Sequence, residues 1–304
     1  MKMMRAIGWT FCVGGLALGL ASPASAQDAS VPGTTADVPN EALAQLPGDT
    51  VFDGDYLTVG LGAAYGASYS GSDDYIVSVL PLVQGSIGDV DLNPRPAGLA
   101  LDFIPDTATG PNFSLGVVAR LNRDRVNRIK DEVVAAYGEL DTAIEVGPTA
   151  GISFPRLLNP FDSLSFNVDL GWDVLGAHNG MTIAPSISYF TPVSRAAAVS
   201  LSLSTKYVDD DYAQYYYSVP AANPAVPLQS LPAFDAGGGF EDVGVNLLVG
   251  YDLSGDVTDG GLALVGIGGY SRLLGDAKRT PFTSIRGDAD QWFVAVGIGY
   301  TFGL

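Results

Sequence analysis

Taken two residues at a time, the end of the chain divides into two faces. In QWFVAVGIGYTFGL (291–304), Trp292, Val294, Val296, Ile298, Tyr300, Phe302 and Leu304 share one side of an extended strand. Gln291, Phe293, Ala295, Gly297, Gly299, Thr301 and Gly303 share the other. A strand repeats every two residues, so this one carries an apolar wall and an opposite face of mostly small or polar side chains. The division recurs in LTVGLGAAY (57–65), IEVGPTAGISF (144–154), LSFNVDLGWDV (164–174), AVSLSLSTKY (198–207) and VGVNLLVGYD (243–252). Segments 75–84 and 261–273 can be read either way. Several runs are about ten residues long, which crosses a bilayer at a strand tilt of roughly 45°. Aromatics such as Tyr65, Tyr75, Phe113, Phe154, Trp172, Tyr207, Tyr251, Trp292 and Tyr300 stand near their ends, where interfacial girdles belong. A soluble β-sandwich also alternates, but its strands are shorter and its apolar face lies against a second sheet.

Connection lengths set the strand count. Short ones fall at 105–111, 155–162, 191–196 and 253–260, and longer ones near 122–141, 175–181, 208–239 and 274–289. Outer-membrane barrels keep short turns on the periplasmic side and long loops outside. Strict alternation then requires three strands within 75–104, near 75–84, 86–93 and 97–104. The pattern predicts an all-β fold over residues 54–304: a closed antiparallel transmembrane β-barrel of about 12 strands, with 10 as the fallback count.

Composition adds the compartment. MKMMRAIGWTFCVGGLALGLASPASA (1–26) has a basic start, an apolar middle and a small-residue ending, the layout of a secretory signal peptide. Residues 27–53 are rich in Pro, Ala, Asp and Thr without periodicity and read as a flexible periplasmic leader. Cleavage after Ala26 removes Cys12, the only cysteine, so no disulfide is expected. It also lowers the 15 basic residues by two and leaves the 33 acidic ones, taking the net charge from −18 to −20. That balance argues against nucleic acid as a partner. After residue 26 no apolar run reaches the roughly 18 residues of a spanning helix, so a membrane protein of this sequence spans with strands.

At this point a resemblance enters. YLTVGLGAAYGASYSGSDDYIVSVLPLV, LNRDRVNRIKDEV…LDTAIEVGPTAG, YYYSVPAANPAVPLQSLPAFDAGGGFEDVGV and SRLLGDAKRTPFTSIRGDADQWFVAVGIGYTF follow one another in the order seen in the MltA-interacting protein (MipA/OmpV) family, which the chain resembles over nearly everything after residue 54. The resemblance implies an outer-membrane barrel. It implies a scaffold joining a lytic transglycosylase to a peptidoglycan synthase, other members having been treated as porin-like or adhesive. It brings no catalytic residues. One departure is that Phe302 is followed by Gly303 and Leu304, whereas many such barrels end on an aromatic residue.

Candidate chemistry is sparse. The only histidine, His178 in GAHNG, reads as a polar turn residue of an outer loop, since nothing places a nucleophile beside it. The acidic stretches SGSDDY (70–75), YVDDDY (207–212) and FEDVG (240–244) lack calcium-loop spacing and read as acids that keep loops solvated. ARLNRDRVNRIKDE (119–132) concentrates Arg120, Arg123, Arg125, Arg128 and Lys130. It reads first as a charged, solvated loop, and second as a contact for lipopolysaccharide phosphates or for acids in the pore. Val126, Ile129, Val133 and Tyr137 would line one side of a short helix there. Parity turns Asp102, Arg120, Glu145, Asn167, Asp169, Asp173, Lys206, Asn246, Asp252 and Gln291 toward the lumen. Residues 212–239 hold Tyr212, Tyr215, Tyr216 and Tyr217, then four prolines and Phe234; this segment is expected to fold into or over the barrel mouth and narrow it. The expected protein is a monomeric, non-enzymatic barrel without cofactor, bordered by outer-membrane lipid and lipopolysaccharide. A scaffold is the first reading, a narrow channel for small solutes the second and a barrel hydrolase a distant third.

Overall fold

The structure, a computed structural model, describes residues 50–107 and 110–304. The expected signal peptide and all of the leader but Thr50–Asp53 lie outside the described residues. Those last leader residues form one 3₁₀ turn, Val51–Asp53, closed by a capping box in which Thr50 and Asp53 each bond the other's backbone N–H.

Twelve antiparallel strands close into one barrel, each paired with its neighbours in sequence and the last with the first. They are β1 (Tyr56–Ala67), β2 (Tyr75–Ile87), β3 (Val90–Arg95), β4 (Gly98–Asp102), β5 (Asn112–Asn122) and β6 (Ala143–Pro155). The circuit continues with β7 (Ser163–Asp173), β8 (Met181–Pro192), β9 (Ala197–Val208), β10 (Gly239–Asp252), β11 (Gly261–Leu273) and β12 (Asp290–Gly303). Closure pairs Tyr56 with Gly303 and Tyr65 with Val294, so both barrel ends of the chain lie at the short-turn, periplasmic end. Closing the sheet joins its first strand to its last and removes the terminal edges that a bilayer would leave unsatisfied, although part of β2 stays unpaired toward β3.

The apolar parity faces outward. Leu61, Val77, Phe113, Leu201, Leu203, Leu247, Leu264, Val294, Val296 and Ile298 are all exposed on the barrel wall. Leaving such a belt to water is costly at about 25 cal/mol per Å², and lipid removes the cost. Aromatic pairs mark both rims. Tyr65–Tyr75, Tyr207–Phe240 and Tyr270–Trp292 stand at the outer rim, and Phe154–Phe166 and Tyr300–Phe302 at the periplasmic one.

The stretch 75–104 does hold three strands, but not where spacing placed them. Alternation carries β2 on to Ile87, past the expected end at 84, and the chain turns at Gly88 with φ +61°. β3 therefore starts at Val90 rather than 86, and the β3–β4 hairpin is short. β2 and β3 share only three register pairs, Gly85–Leu92, Ser86–Asp91 and Ile87–Val90. Pro94 has no N–H with which to lengthen that ladder. Tyr75–Val83 have no register partner on the β3 side among the described residues. Into this seam reaches Arg128, whose guanidinium donates to the Val77 carbonyl at 2.8 Å.

The lumen has two storeys. The outer half is filled by the long loops, which carry four short helices: α1 (Glu132–Ala135), α2 (Asp210–Tyr217), α3 (Gly275–Arg279) and α4 (Pro281–Ser284). The inner half holds an apolar hollow, lined in part by the inward Leu80, Leu82, Val265 and Ile267, beside buried polar side chains such as Ser153, Ser165, Ser188 and Ser202. This explains the ambiguity of 75–84 and 261–273: the lumen they face is itself apolar.

Candidate functional site: the closed outer mouth

β9 brings Lys206 to the top of the lumen, and the chain then enters α2. Asp209 caps that helix, its Oδ1 accepting from Tyr212 N at 3.0 Å and its Oδ2 from Met181 N at 2.8 Å. Capped in this way, α2 points Tyr212, Ala213, Tyr216 and Tyr217 into the barrel, each at most 2% exposed. Val208, Ala236, Leu273 and Ala277 complete one apolar cluster around them. Tyr69, Val134, Val219, Leu231 and Phe282 form a second, with Ile129, Val133 and Tyr137 against it. Tyr215 and Phe234 are half-buried at the edges of these clusters. Val219 and Phe234 exchange backbone hydrogen bonds of 2.8 and 2.9 Å, tying the proline-rich return to the end of α2.

A polar network lies directly beneath. Lys206 Nζ is 2.6 Å from Glu241 Oε2 and donates to Tyr212 Oη at 2.7 Å. Tyr212 Oη is also 3.2 Å from Glu241 Oε1, and Tyr217 donates to the same oxygen. Burial first, and Glu241 second, lift the Tyr212 and Tyr217 hydroxyls far above their ordinary range, so both remain donors. Glu145 accepts from Thr182 Oγ1 at 3.1 Å and Asn122 Nδ2 at 3.3 Å. His178 stands over it with Nε2 3.5 Å from Glu145 Oε1. Gly180 N donates to His178 Nδ1 at 3.0 Å, which in the neutral ring leaves the proton on Nε2, toward Glu145.

Glu241 was hidden from sequence reading. It shares odd parity with the lipid-facing Val243 and Val245, yet a β-bulge at Phe240–Asp242 sets two residues against Lys206 and turns both Glu241 and Asp242 inward. The reading of the three acidic stretches as solvated loops is therefore corrected in part. Asp209 is a helix cap, Asp210 Oδ1 accepts from Gly238 N at 2.7 Å, and Glu241 and Asp242 are buried at 2% and 0% exposure. Asp73, Asp210 and Asp211 keep exposed positions in the outer loops. Among the described residues no group of three or more His, Cys, Asp or Glu side chains is arranged to hold a metal ion.

The basic segment 119–132 is likewise no solvated loop. Arg125 is 4% exposed, stacks over the Phe282 ring at 4.4 Å and donates to the Tyr216 carbonyl at 2.5 Å. Asp124 accepts from Ser70 N at 2.9 Å. The expected helix shrinks to the single turn α1, because Arg125 and Arg128 take left-handed conformations (φ +53° and +59°) that end helical continuation. His178 also departs from expectation. It is 3% exposed rather than a surface turn residue, edge-on to Tyr212 at 4.9 Å between ring centroids.

The other inward candidates divide by height. Mid-lumen, Arg95 Nε is 2.9 Å from Asp169 Oδ2, Arg120 reaches the same oxygen, and Thr149 Oγ1 donates to Asp169 Oδ1 at 2.5 Å. Asn167 lies over Gly151 and Asn246 over Gly269, where a Cβ would collide with their Oδ1 atoms. Gln291 Nε2 holds the outer loops through Ser72 O (3.1 Å) and Asp288 O (2.6 Å). Asp173 and Asp252 order turns at the rims. Asp173 Oδ2 accepts from His178 N at 2.8 Å, and Asp252 Oδ1 from Ser254 N at 2.7 Å. Asp102 Oδ1 accepts from Leu115 N at 2.8 Å at the periplasmic end.

Comparison with known proteins completes the picture. Solved structures with a similar outline include an outer-membrane channel from Pseudomonas putida F1 (13% identity, TM-score 0.43, covering 82% of this chain and 96% of that one). An anion-selective porin from Comamonas acidovorans is also similar (11%, TM-score 0.38, 82% and 98%). No protein with a curated description matches. The profile of the family described as MltA-interacting protein MipA matches residues 59–302. With a closed twelve-stranded barrel and a lipid-facing belt beneath that match, the chain belongs to the MltA-interacting protein MipA family and is a β-barrel of the outer membrane.

Proposed function

We propose that this barrel is a membrane-fixed scaffold, closed on its outer side, that presents its periplasmic turns to cell-wall-remodelling enzymes. The family description supplies the partner class, a lytic transglycosylase; a peptidoglycan synthase is the second expected partner, by resemblance. The observation that carries the reading is the filled outer mouth. Lys206 and Glu241 pair within the mouth, and two aromatic-rich clusters occupy the space a solute would cross. A structural reading is further supported by the turn between β6 and β7. Asp162 accepts from the backbone N–H groups of Leu157, Leu158 and Asn159 and from Tyr189 Oη. That fixed turn holds Leu158 and Phe161 exposed at 78% and 45%. Exposed apolar side chains on an ordered loop suit a protein contact.

Affinity capture with a purified lytic transglycosylase and a penicillin-binding synthase from the same cell tests this. The barrel is expected to retain the transglycosylase, and Leu158→Asp with Phe161→Ser to weaken retention at least tenfold while the barrel stays folded. Capture of neither enzyme would remove the scaffold reading. A narrow channel is the second reading, supported by the hollow inner half of the lumen.

A further inference from the structure

The inner lumen contains a cavity of about 160 Å³ whose walls include Leu82, Pro94, Phe190, Leu248, Val265 and Ile267. Phe52 lies across its periplasmic side, packed edge-on against Tyr56 at 4.9 Å. The polar groups at its margin are already engaged. Thr58 and Thr301 hydroxyls bond each other at 2.7 Å, and Asp252 Oδ1 takes the backbone N–H groups of Ser254 and Gly255. A polar solute entering would shed its water without replacement partners. An apolar space of this size elsewhere, about 150 Å³, stays dry and accepts benzene.

A second, smaller cavity of about 40 Å³ shares Leu82, Val265 and Ile267 with the first. It touches lumen-facing Leu80 and Ala295 and also lipid-facing Leu61, Val296 and Ile298. It does so where Gly62 faces Gly297 and the wall is backbone alone. The two cavities are thus neighbours along the inner side of the paired β1–β12 wall. Leu82 and Pro94 also stand on the two sides of the weakly paired β2–β3 seam. We propose that the inner lumen is a binding chamber for an uncharged, lipid-soluble molecule about the size of one aromatic ring, floored by Phe52. The proposal is independent of the scaffold reading and of enzyme capture.

The test uses the full mature protein in lipid nanodiscs with fluorobenzene followed by fluorine NMR. Wild type is expected to show a saturable bound component above the linear partition into lipid. Ala263→Phe, which fills the chamber, is expected to abolish it, and the lipid-face variant Val294→Ala to keep it. Phe52→Ala is expected to retain binding with several-fold faster exchange. Folding of each variant is checked by its heat-dependent shift on SDS gels, and Leu248→Trp replaces Ala263→Phe if the latter does not fold. Purely linear uptake by wild type, or an undiminished saturable component in a folded filled variant, overturns the proposal. So does binding that appears only after residues 27–49 are deleted, since the leader would then be the native occupant.

Discussion

At the scale of single residues, charge placement decides the outer mouth. Lys206 is the one cation in contact with Glu241 among the described residues, and it is linked to Glu145 through the Tyr212 hydroxyl and then Asn122 Nδ2. Removing one partner of a buried pair leaves an uncompensated charge, a loss of about 3–5 kcal/mol. Lys206→Met is therefore expected to lower the temperature at which the folded barrel loses its compact form in SDS. No change would mean that the network is hydrated rather than packed. A second test uses acid. Burial pulls the Asp131 carboxyl upward, but the Arg286 guanidinium and the N–H groups of Val134 and Val133 outweigh it and hold its pKa below the usual range. A depressed folded pKa contributes stability that is fully present above the unfolded value of about 3.9 and is lost as pH falls through the folded one. Loosening of the α1 loop below about pH 4 is thus expected in limited proteolysis. Asp131→Asn should show the loosened pattern already at neutral pH. Most lumen residues were legible from parity alone. Glu241 was not, because a bulge reverses parity at one position and leaves no mark in the spacing.

Among the elements, the long regular strands were legible because lipid outside and small or polar groups inside keep a two-residue period. β2 and β11 were ambiguous for a physical reason: they border the apolar chamber and are greasy on both faces. The β3–β4 hairpin was misplaced because its start depends on a glycine turn and its height on Pro94, neither of which alters the alternation. Its shortness has a measurable consequence. The seam-facing amides of Tyr75–Leu80 lack a strand partner, apart from whatever the Arg128 loop supplies at the carbonyls. In hydrogen exchange they are expected to be about tenfold or more faster than the amides of Leu61–Tyr65, which pair with β12. Equal protection would show a continuous ladder at the seam.

The molecule as a whole is a barrel with a packed outer half and a hollow inner half. The barrel followed from pattern, connection length and the family resemblance. That the tyrosine-rich segment would enter the mouth followed from its composition. How it is held did not, since that rests on partners distant in sequence: Arg125 from one loop, Phe282 from another and Thr280, whose hydroxyl donates to the Tyr217 carbonyl at 2.7 Å. Closure of the outer mouth is most directly tested by planar-bilayer conductance of the purified protein and of a variant lacking residues 212–236. The deletion ends lie together, since Gly238 N bonds Asp210 Oδ1 at 2.7 Å. Wild type is expected to carry no steady current, and the deletion to open one. A steady current through wild type, or silence from a folded deletion variant, would contradict a lumen closed by this plug.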